Sequence, residues 1–345
     1  MRLEDRASAR RCVWRNPRAW PLLLCVATLV LAAVGGCSPD GELPEELASS
    51  SEETSPAPES MPTTGAKAPW QPTTLEFSYG ESEEMFGYSP GAESDETLPD
   101  AIAVSPSGRM FVTDPAKGRI VILDASGGYM GSMTRPGAQL LFGVAWMPWG
   151  VVTIDWWAGP EAVLFDEEGA LVAAYPVDPG FTHSISMVQA ASSGVWVFTP
   201  GGWAQVMDGS GDPVPVADQP GTLQEGMPAG SHIYEAYAPF SAPAGTGGRV
   251  VRQATGEEPE LIVDLGEPDA STVRVLGEDA DGDFYVEVAT EDSARCLVYD
   301  ANGLATADFD LEPGSRMGGH WVAGDGTLYQ LVADEHSVRI ITYAP

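Results

Sequence analysis

Histidine and carboxylate side chains are the residues of this chain that could hold a divalent metal for hydrolysis or elimination. The 345 residues include four histidines, and their positions do not repeat at a regular interval. We therefore do not expect a symmetric histidine cage of the kind that binds zinc. If the protein is an enzyme with an asymmetric site, we expect its ligands to be Asp100, His183 and His320. We predict no cofactor, and a divalent cation is the alternative left open.

An acidic segment begins like a calcium-binding loop. DADGD spans Asp279 to Asp283, but the twelfth position, where such loops carry a bidentate glutamate, is Thr290. Gly282 within the segment also has the spacing of a turn glycine. We interpret the segment as a solvated acidic turn, with a metal site as the weaker alternative.

The cysteines of this chain predict no internal disulfide. Cys12 and Cys25 lie in the N-terminal signal segment, and Cys296 lies in the apolar strand pattern ARCLVYD. We expect Cys296 to be a buried, unreactive thiol.

The first 36 residues have the features of a signal peptide. Six arginines precede residue 19, and an uncharged stretch from Ala19 to Gly36 ends in small residues. Val34-Gly35-Gly36-Cys37 resembles the bacterial lipobox. The resemblance implies that Cys37 is lipidated and becomes the new N-terminus, which would anchor the protein to a membrane on the extracytoplasmic side of the cell envelope.

Residues 37–71 form a segment rich in proline, serine, threonine and acids. Such a composition cannot bury enough apolar surface to fold, so we predict a disordered tether. The whole chain carries a formal net charge of −33. This charge argues against nucleic acid as a partner and would suit a basic one.

Residues 72–345 contain a repeat marked by two series of turns. Asp124, Asp166 and Asp208 each open an Asp-x-x-Gly turn at intervals of 42 residues, and Asp300 opens another. A second series of turn glycines precedes further apolar strands and marks six units: Gly108, Gly150, Gly194, Gly230, Gly282 and Gly326. A period of about 45 residues with short strands predicts an all-β, six-bladed β-propeller of four-stranded antiparallel blades. The unit around Gly230 is the least regular.

The two ends of this region predict how the ring closes. The chain ends after VRIITYAP with no fourth strand for the last blade, and PTTLEFSYG, residues 72–80, precedes the first blade. We expect this N-terminal strand to pair with the last blade and remove the free edge.

The first unit resembles the NHL-type propeller repeat. IAVSPSGRMFVTDPAKGRIVILDASG matches its pattern of a glycine turn, Val-x-Asp, Arg-Ile and Asp-x-x-Gly. Asp114 and Arg119 belong to this pattern, and we interpret them as structural contacts. The resemblance implies a fold that hosts both binding modules and enzymes. Gluconolactonase-type propellers use asparagine among their metal ligands, and asparagine occurs here only as Asn16 and Asn302.

Aromatic residues in loops predict a binding face. The loops that share one face of a propeller contain Trp156, Trp157, Phe181 and Phe240. Such side chains suit a protein, peptide or glycan partner, or alternatively cap the blades. We predict a monomeric, non-catalytic binding or interaction module, with a metal-dependent hydrolase, lactonase or lyase acting in the axial channel as the alternative.

The lipidation site gives a direct test. In a bacterial host, Cys37→Ala should leave an unprocessed precursor that incorporates no labelled fatty acid, because the thiol that receives the lipid is gone. Metabolic labelling with palmitate measures this, and Cys25→Ala is the control that should be acylated normally. Normal acylation of Cys37→Ala would contradict the prediction.

Overall fold

The computed structural model describes most of the chain from residue 70 onward. The described ranges are 70–90, 97–138, 140–156, 159–181, 185–222, 224, 226–238, 248–254, 259–267, 269–316 and 318–345. The signal peptide, Cys37 and nearly all of the tether lie outside them. Within these ranges, the structure contains no helix with the length and apolar character needed to span a bilayer.

In the described ranges, twenty-three strands form six antiparallel sheets, which are the blades of a six-bladed propeller. Blade one contains β2 (Ile102–Val104), β3 (Met110–Asp114), β4 (Arg119–Leu123) and β5 (Tyr129–Thr134). Blade two contains β6 (Leu141–Met147), β7 (Gly150–Asp155), β8 (Glu161–Phe165) and β9 (Leu171–Pro176). Blade three contains β10 (Met187–Ala191), β11 (Gly194–Thr199) and β12 (Gly202–Asp208).

The other three blades follow the same order. Blade four contains β13 (Met227–Ala229), β14 (His232–Tyr237), β15 (Arg249–Gln253) and β16 (Pro259–Asp264). Blade five contains β17 (Thr272–Glu278), β18 (Phe284–Ala289), β19 (Ala294–Tyr299) and β20 (Ala305–Leu311). Blade six contains β21 (His320–Val322), β22 (Leu328–Ala333) and β23 (Val338–Ala344), with β1 (Gln71–Phe77) at its outer edge.

The ring is closed by the N-terminal strand, as the sequence indicates. β1 pairs antiparallel with β23, from Gln71 opposite Ala344 to Phe77 opposite Val338. This pairing makes one blade from the two ends of the described chain, so the first and last strands stabilise each other.

All six predicted turn glycines lie at the same place, between the first and second strands of a blade. Each has a positive φ, from 49° at Gly230 to 149° at Gly150. At Gly150 a Cβ atom would lie 2.4 Å from the carbonyl oxygen of Phe165, and at Gly194 it would lie 2.1 Å from that of Met207. Any other residue would therefore clash with a neighbouring strand's backbone.

The Asp-x-x-Gly turns connect third strands to fourth strands through one recurring contact. The Oδ1 atom of Asp124 accepts hydrogen bonds from the backbone N–H groups of Ser126 and Gly128, both at 2.8 Å. Asp300 receives the same pair from Asn302 and Leu304, both at 2.9 Å. An aspartate stabilises this turn because its carboxylate accepts hydrogen bonds from the backbone N–H groups of the turn.

Blade three differs from the predicted four strands. After β12, the described chain adds only the isolated bridges of Trp203 with Gln224 and of Met207 with Pro213 to its edge. The segment GDPVPVADQPG carries three prolines, which cannot donate to a strand ladder. Blade four, whose sequence repeat is irregular, has the four paired strands predicted for each blade.

A buried ion pair holds the connection between β1 and blade one. The guanidinium of Arg119 donates from Nε to Asp114 Oδ2 at 2.9 Å, and the two side chains are 7% and 0% exposed. Arg119 also donates to the carbonyl oxygens of Glu83 and Met85, at 2.8 and 2.6 Å. The structural role predicted for Asp114 and Arg119 agrees with this geometry.

Removing Asp114 should destabilise the propeller strongly. Asp114→Ala leaves the Arg119 charge buried without its partner, which costs about 3–5 kcal/mol of unfolding free energy. Glu168→Ala is the matched control, because it removes the carboxylate paired with Arg109 at 3.4 Å while its own side chain is 74% exposed. The control should cost less than about 1 kcal/mol. Urea unfolding measures both, and equal losses would contradict the assigned role.

Candidate functional site

The axial channel is packed by side chains from the innermost strands of all six blades. Its lining includes one residue from each blade in turn: Ile102, Val144, Gln189, Met227, Arg274 and His320. The space left between them is about 10 Å³. That volume holds about one water molecule.

His320 is the polar residue of blade six in this channel, and both of its ring nitrogens have neighbours. Arg274 Nη2 lies 3.3 Å from Nδ1, and Ser315 Oγ lies 3.2 Å from Nε2. Since Arg274 can only donate, this network assigns the ring proton to Nε2. Burial, together with the Arg274 charge, holds the pKa of His320 well below 6.5.

Asp100 is half-buried just before the innermost strand of blade one. Its Oδ1 accepts a hydrogen bond from the hydroxyl of Thr113, whose oxygen in turn accepts from the Ala101 N–H at 2.9 Å. Burial raises the pKa of Asp100 to about 6, while Thr113 and Arg316 oppose the rise. His183 lies outside the described residues. In the part of the chain that the structure describes, no group of three or more His, Cys, Asp or Glu side chains is placed to hold a metal ion.

The DADGD segment forms the turn between β17 and β18. Asp279 Oδ1 accepts the N–H groups of Asp281 and Asp283 at 3.0 and 2.9 Å. This is a turn built around its first aspartate, as the sequence predicts. Cys296 is fully buried on β19, and burial raises the pKa of its thiol, as expected for an unreactive cysteine.

A wide pocket opens where the innermost strands begin, on the face that carries the connections between blades. We call it the entry-face pocket. It has a volume of about 290 Å³. Its apolar lining comes mostly from blades three and four, with two valines from blade five: Met187, Phe198, Trp203, Met227, Ala236, Tyr237, Val273 and Val275. The rings of Phe198 and Trp203 lie 5.2 Å apart at an angle of 51°, so they form a concave aromatic corner.

Two charged side chains reach the same pocket. The carboxylate of Glu235 accepts a hydrogen bond from the Tyr237 hydroxyl. Arg274 of blade five donates from Nε to Glu287 Oε2 at 2.7 Å. Arg274 is therefore neutralised by its own partner, and among the described residues no basic side chain lies within ion-pair distance of Glu235.

A second hollow of about 230 Å³ lies on the opposite face, among the turns between first and second strands. We call it the turn-face hollow. Trp146, Ala190, Glu278 and Trp321 line it. Trp146 Nε1 donates to Glu167 at 2.7 Å, and the buried Trp321 Nε1 has no partner among the described residues.

The predicted aromatic face is only partly assembled in the structure. Trp156 is half-buried and packs against Phe142, with ring centroids 6.2 Å apart. Phe181 is 7% exposed and belongs to the core shared by blades two and three, so it is a packing residue and not part of a binding surface. Trp157 and Phe240 lie outside the described residues.

The entry-face pocket was not found from the sequence. Its aromatic corner comes from Phe198 and Trp203, which flank the turn TPGG between the second and third strands of blade three. The position of these residues beside the turn could have indicated the pocket, because turns between second and third strands lie on the same face as the predicted contact loops. Both side chains occur in ordinary strand patterns, where an aromatic residue predicts burial.

The chain resembles known protein structures only distantly. No family model and no curated protein matches it. Virginiamycin B lyase from Staphylococcus aureus is 12% identical with a TM-score of 0.43, covering 79% of this chain and 99% of that one. Luciferin-regenerating enzyme is 10% identical with a TM-score of 0.46, covering 80% and 96%. The WD40 repeats of RRP9 are 14% identical with a TM-score of 0.43, covering 70% and 79%. The blade count therefore rests on the strand order, and the function must be argued from the site.

The raised pKa of Asp100 predicts a pH-dependent stability change. The folded protein binds this proton more tightly than the unfolded chain does. The contribution of Asp100 to the free energy of unfolding is therefore lost as the pH rises from 3.8 to about 6. Asp100→Asn should therefore gain about 1–3 kcal/mol over the wild type between pH 4 and pH 7.

Asp300→Asn is the control of opposite sign. The N–H group of Leu304 is the main cause that lowers the pKa of Asp300, so this carboxylate stabilises the fold above its unfolded pKa and loses that effect in acid. Urea unfolding at pH 4 and pH 7 measures both variants. A pH-independent difference for Asp100→Asn would contradict the assignment.

Proposed function

We propose that this protein is an exported, lipid-anchored binding module that takes its ligand in the entry-face pocket and does not convert it. The observation that carries this proposal is the contrast between two spaces. The axial channel, where propeller enzymes place their chemistry, has about 10 Å³, and the pocket at its mouth has about 290 Å³.

The pocket has the composition of a small-ligand site. Ligand pockets of this kind are mostly apolar, with a few polar groups that fix orientation. Here aromatic and methionine side chains supply contact area, and Glu235 and Arg274 supply the polar groups. Methionine adapts its shape to a ligand, and the aromatic corner of Phe198 and Trp203 offers a rigid wall.

Among the described residues, two polar groups near the pocket are already engaged with protein partners. Arg274 is paired with Glu287, and His320 is held neutral and hydrogen-bonded deep in the channel. Neither group is placed to move a proton at a ligand in the pocket. A metal-dependent hydrolase, lactonase or lyase using Asp100, His183 and His320 is the competing proposal that the test must separate.

The N-terminal segment supplies the location in this proposal. A lipidated Cys37 and a tether over residues 37–71 would hold the propeller at a membrane of the cell envelope. As a random coil, a tether of this length spans on the order of 30 Å, which would lift the pocket clear of the bilayer. Trp157 and Phe240 remain predicted contacts of this face, from their positions in the chain.

A pair of matched variants tests the site. Ala236→Phe places a ring in the entry-face pocket, and Ala190→Phe places the same ring in the turn-face hollow. A small-molecule library is screened against the purified full chain by ligand-observed NMR. Binding should be lost at least about tenfold in Ala236→Phe and retained in Ala190→Phe.

Three outcomes would contradict the proposal. Loss of binding in Ala190→Phe instead would move the site to the turn-face hollow. Recovery of chemically altered ligand would favour the enzyme. A melting temperature that falls on addition of EDTA would favour a metal site.

A further inference from the structure

We infer that the entry-face pocket selects an organic cation whose charge is surrounded by apolar groups, such as a quaternary ammonium head. This inference rests on the proposed function, since it names the ligand class of the same pocket. It is carried by the arrangement of one uncompensated carboxylate beside several aromatic rings.

The charges at the pocket do not balance. Among the described residues that line it, Arg274 is the cation, and Glu287 accepts from both its Nε and its Nη2. The side chains of this pair are 18% and 10% exposed, so the pair is shielded from solvent. Glu235 then leaves one negative charge in excess at the pocket wall.

Glu235 is oriented by its neighbours. It lies on β14 two residues before Tyr237, so both side chains fall on the same side of the strand, and the Tyr237 hydroxyl donates to the carboxylate. The contact leaves the remaining acceptor positions of the carboxylate to a ligand, because an ionised carboxylate accepts about four hydrogen bonds.

The aromatic rings complete a site for a cation. Phe198, Trp203 and Tyr237 line the same space as Glu235. Ring faces carry negative charge density and attract cations, most strongly where the contact is shielded from water. An ammonium head with methyl groups would lose less on leaving water than a bare metal ion, since its surface is already apolar.

An anionic ligand fits the same wall poorly. It would meet Glu235 directly, and it could use Arg274 only by displacing Glu287. The formal net charge of −33 would also repel it at longer range.

The test compares two probes of the same shape. Choline carries a quaternary nitrogen, and 3,3-dimethylbutan-1-ol has a carbon in its place. Calorimetric and NMR titrations on the purified full chain should show choline binding at least about tenfold more tightly, and the preference should weaken with added salt.

A matched pair of variants locates the preference. Glu235→Gln removes the charge at the pocket and should reduce choline binding about tenfold while leaving the alcohol nearly unchanged. Glu291→Gln removes the same charge from an exposed loop on the same face and should leave both affinities as in the wild type. Ala236→Phe should abolish both.

The inference is overturned if choline does not bind, if the alcohol binds as tightly, or if the preference survives in Glu235→Gln. These outcomes are separate from failure of the proposed function. If a neutral or anionic library ligand binds the wild type and is excluded by Ala236→Phe, the pocket remains the binding site and only the preference for a cation is contradicted.

Discussion

The structure depends on the seven-residue pairing between β1 and β23. Without it, blade six would end in an open strand edge. The pairing also fixes the segment between β1 and blade one, where Phe86 is fully buried and Arg119 binds two backbone carbonyls. Closure of the ring and packing of the first blade therefore depend on the same N-terminal segment.

A closed ring of six blades brings six innermost strands together around one axis. Their side chains must fill the space that the ring encloses, and in this protein they do so with Ile, Val, Met and Leu around the pair of Arg274 and His320. Arg274, His320 and Ser315 are joined by hydrogen bonds in this channel, and such a network stabilises buried polar groups. The larger open space is the entry-face pocket, which lies at the mouth of the channel between blades three, four and five.

Blade three connects this packing to the pocket. Its prolines prevent a regular fourth strand, and the chain after β12 instead forms bridges back to Trp203 and Met207. Trp203 is consequently 3% exposed, covered on its outer side while its ring lines the pocket. An irregular outer edge and a rigid aromatic wall thus arise from the same segment.

Local signals were sufficient to predict the blades. The turn glycines and the Asp-x-x-Gly aspartates act within a few residues, so Gly194 or Asp300 reveals its role wherever it occurs. Pairing of β1 with β23 could also be predicted. The last blade lacks a fourth strand at the C-terminal end of the region, and an unassigned strand precedes the first blade at its N-terminal end.

The site could not be predicted in the same way. The pocket combines Phe198, Glu235 and Arg274 from three blades, and nothing local to any of them marks their meeting. Phe181 shows the reverse error, since its loop pattern suggested a surface position and the structure packs it into the core of blades two and three. Burial within a loop depends on neighbouring blades, which the sequence of the loop does not contain.

The placement of basic residues explains why charge matters at the mouth of the channel. Seven arginines of the described chain are held by carboxylates of their own or a neighbouring blade: Arg109, Arg119, Arg135, Arg249, Arg274, Arg295 and Arg339. Lys117 is likewise bound to the carbonyl oxygens of Ser82 and Met85. Because these cations are held by carboxylates or carbonyl oxygens, they do not offset the acidic excess of the chain, and we propose that this excess attracts positive ligands from solution. In the proposed site, Glu235 beside the aromatic wall of the entry-face pocket would turn this long-range attraction into a specific contact.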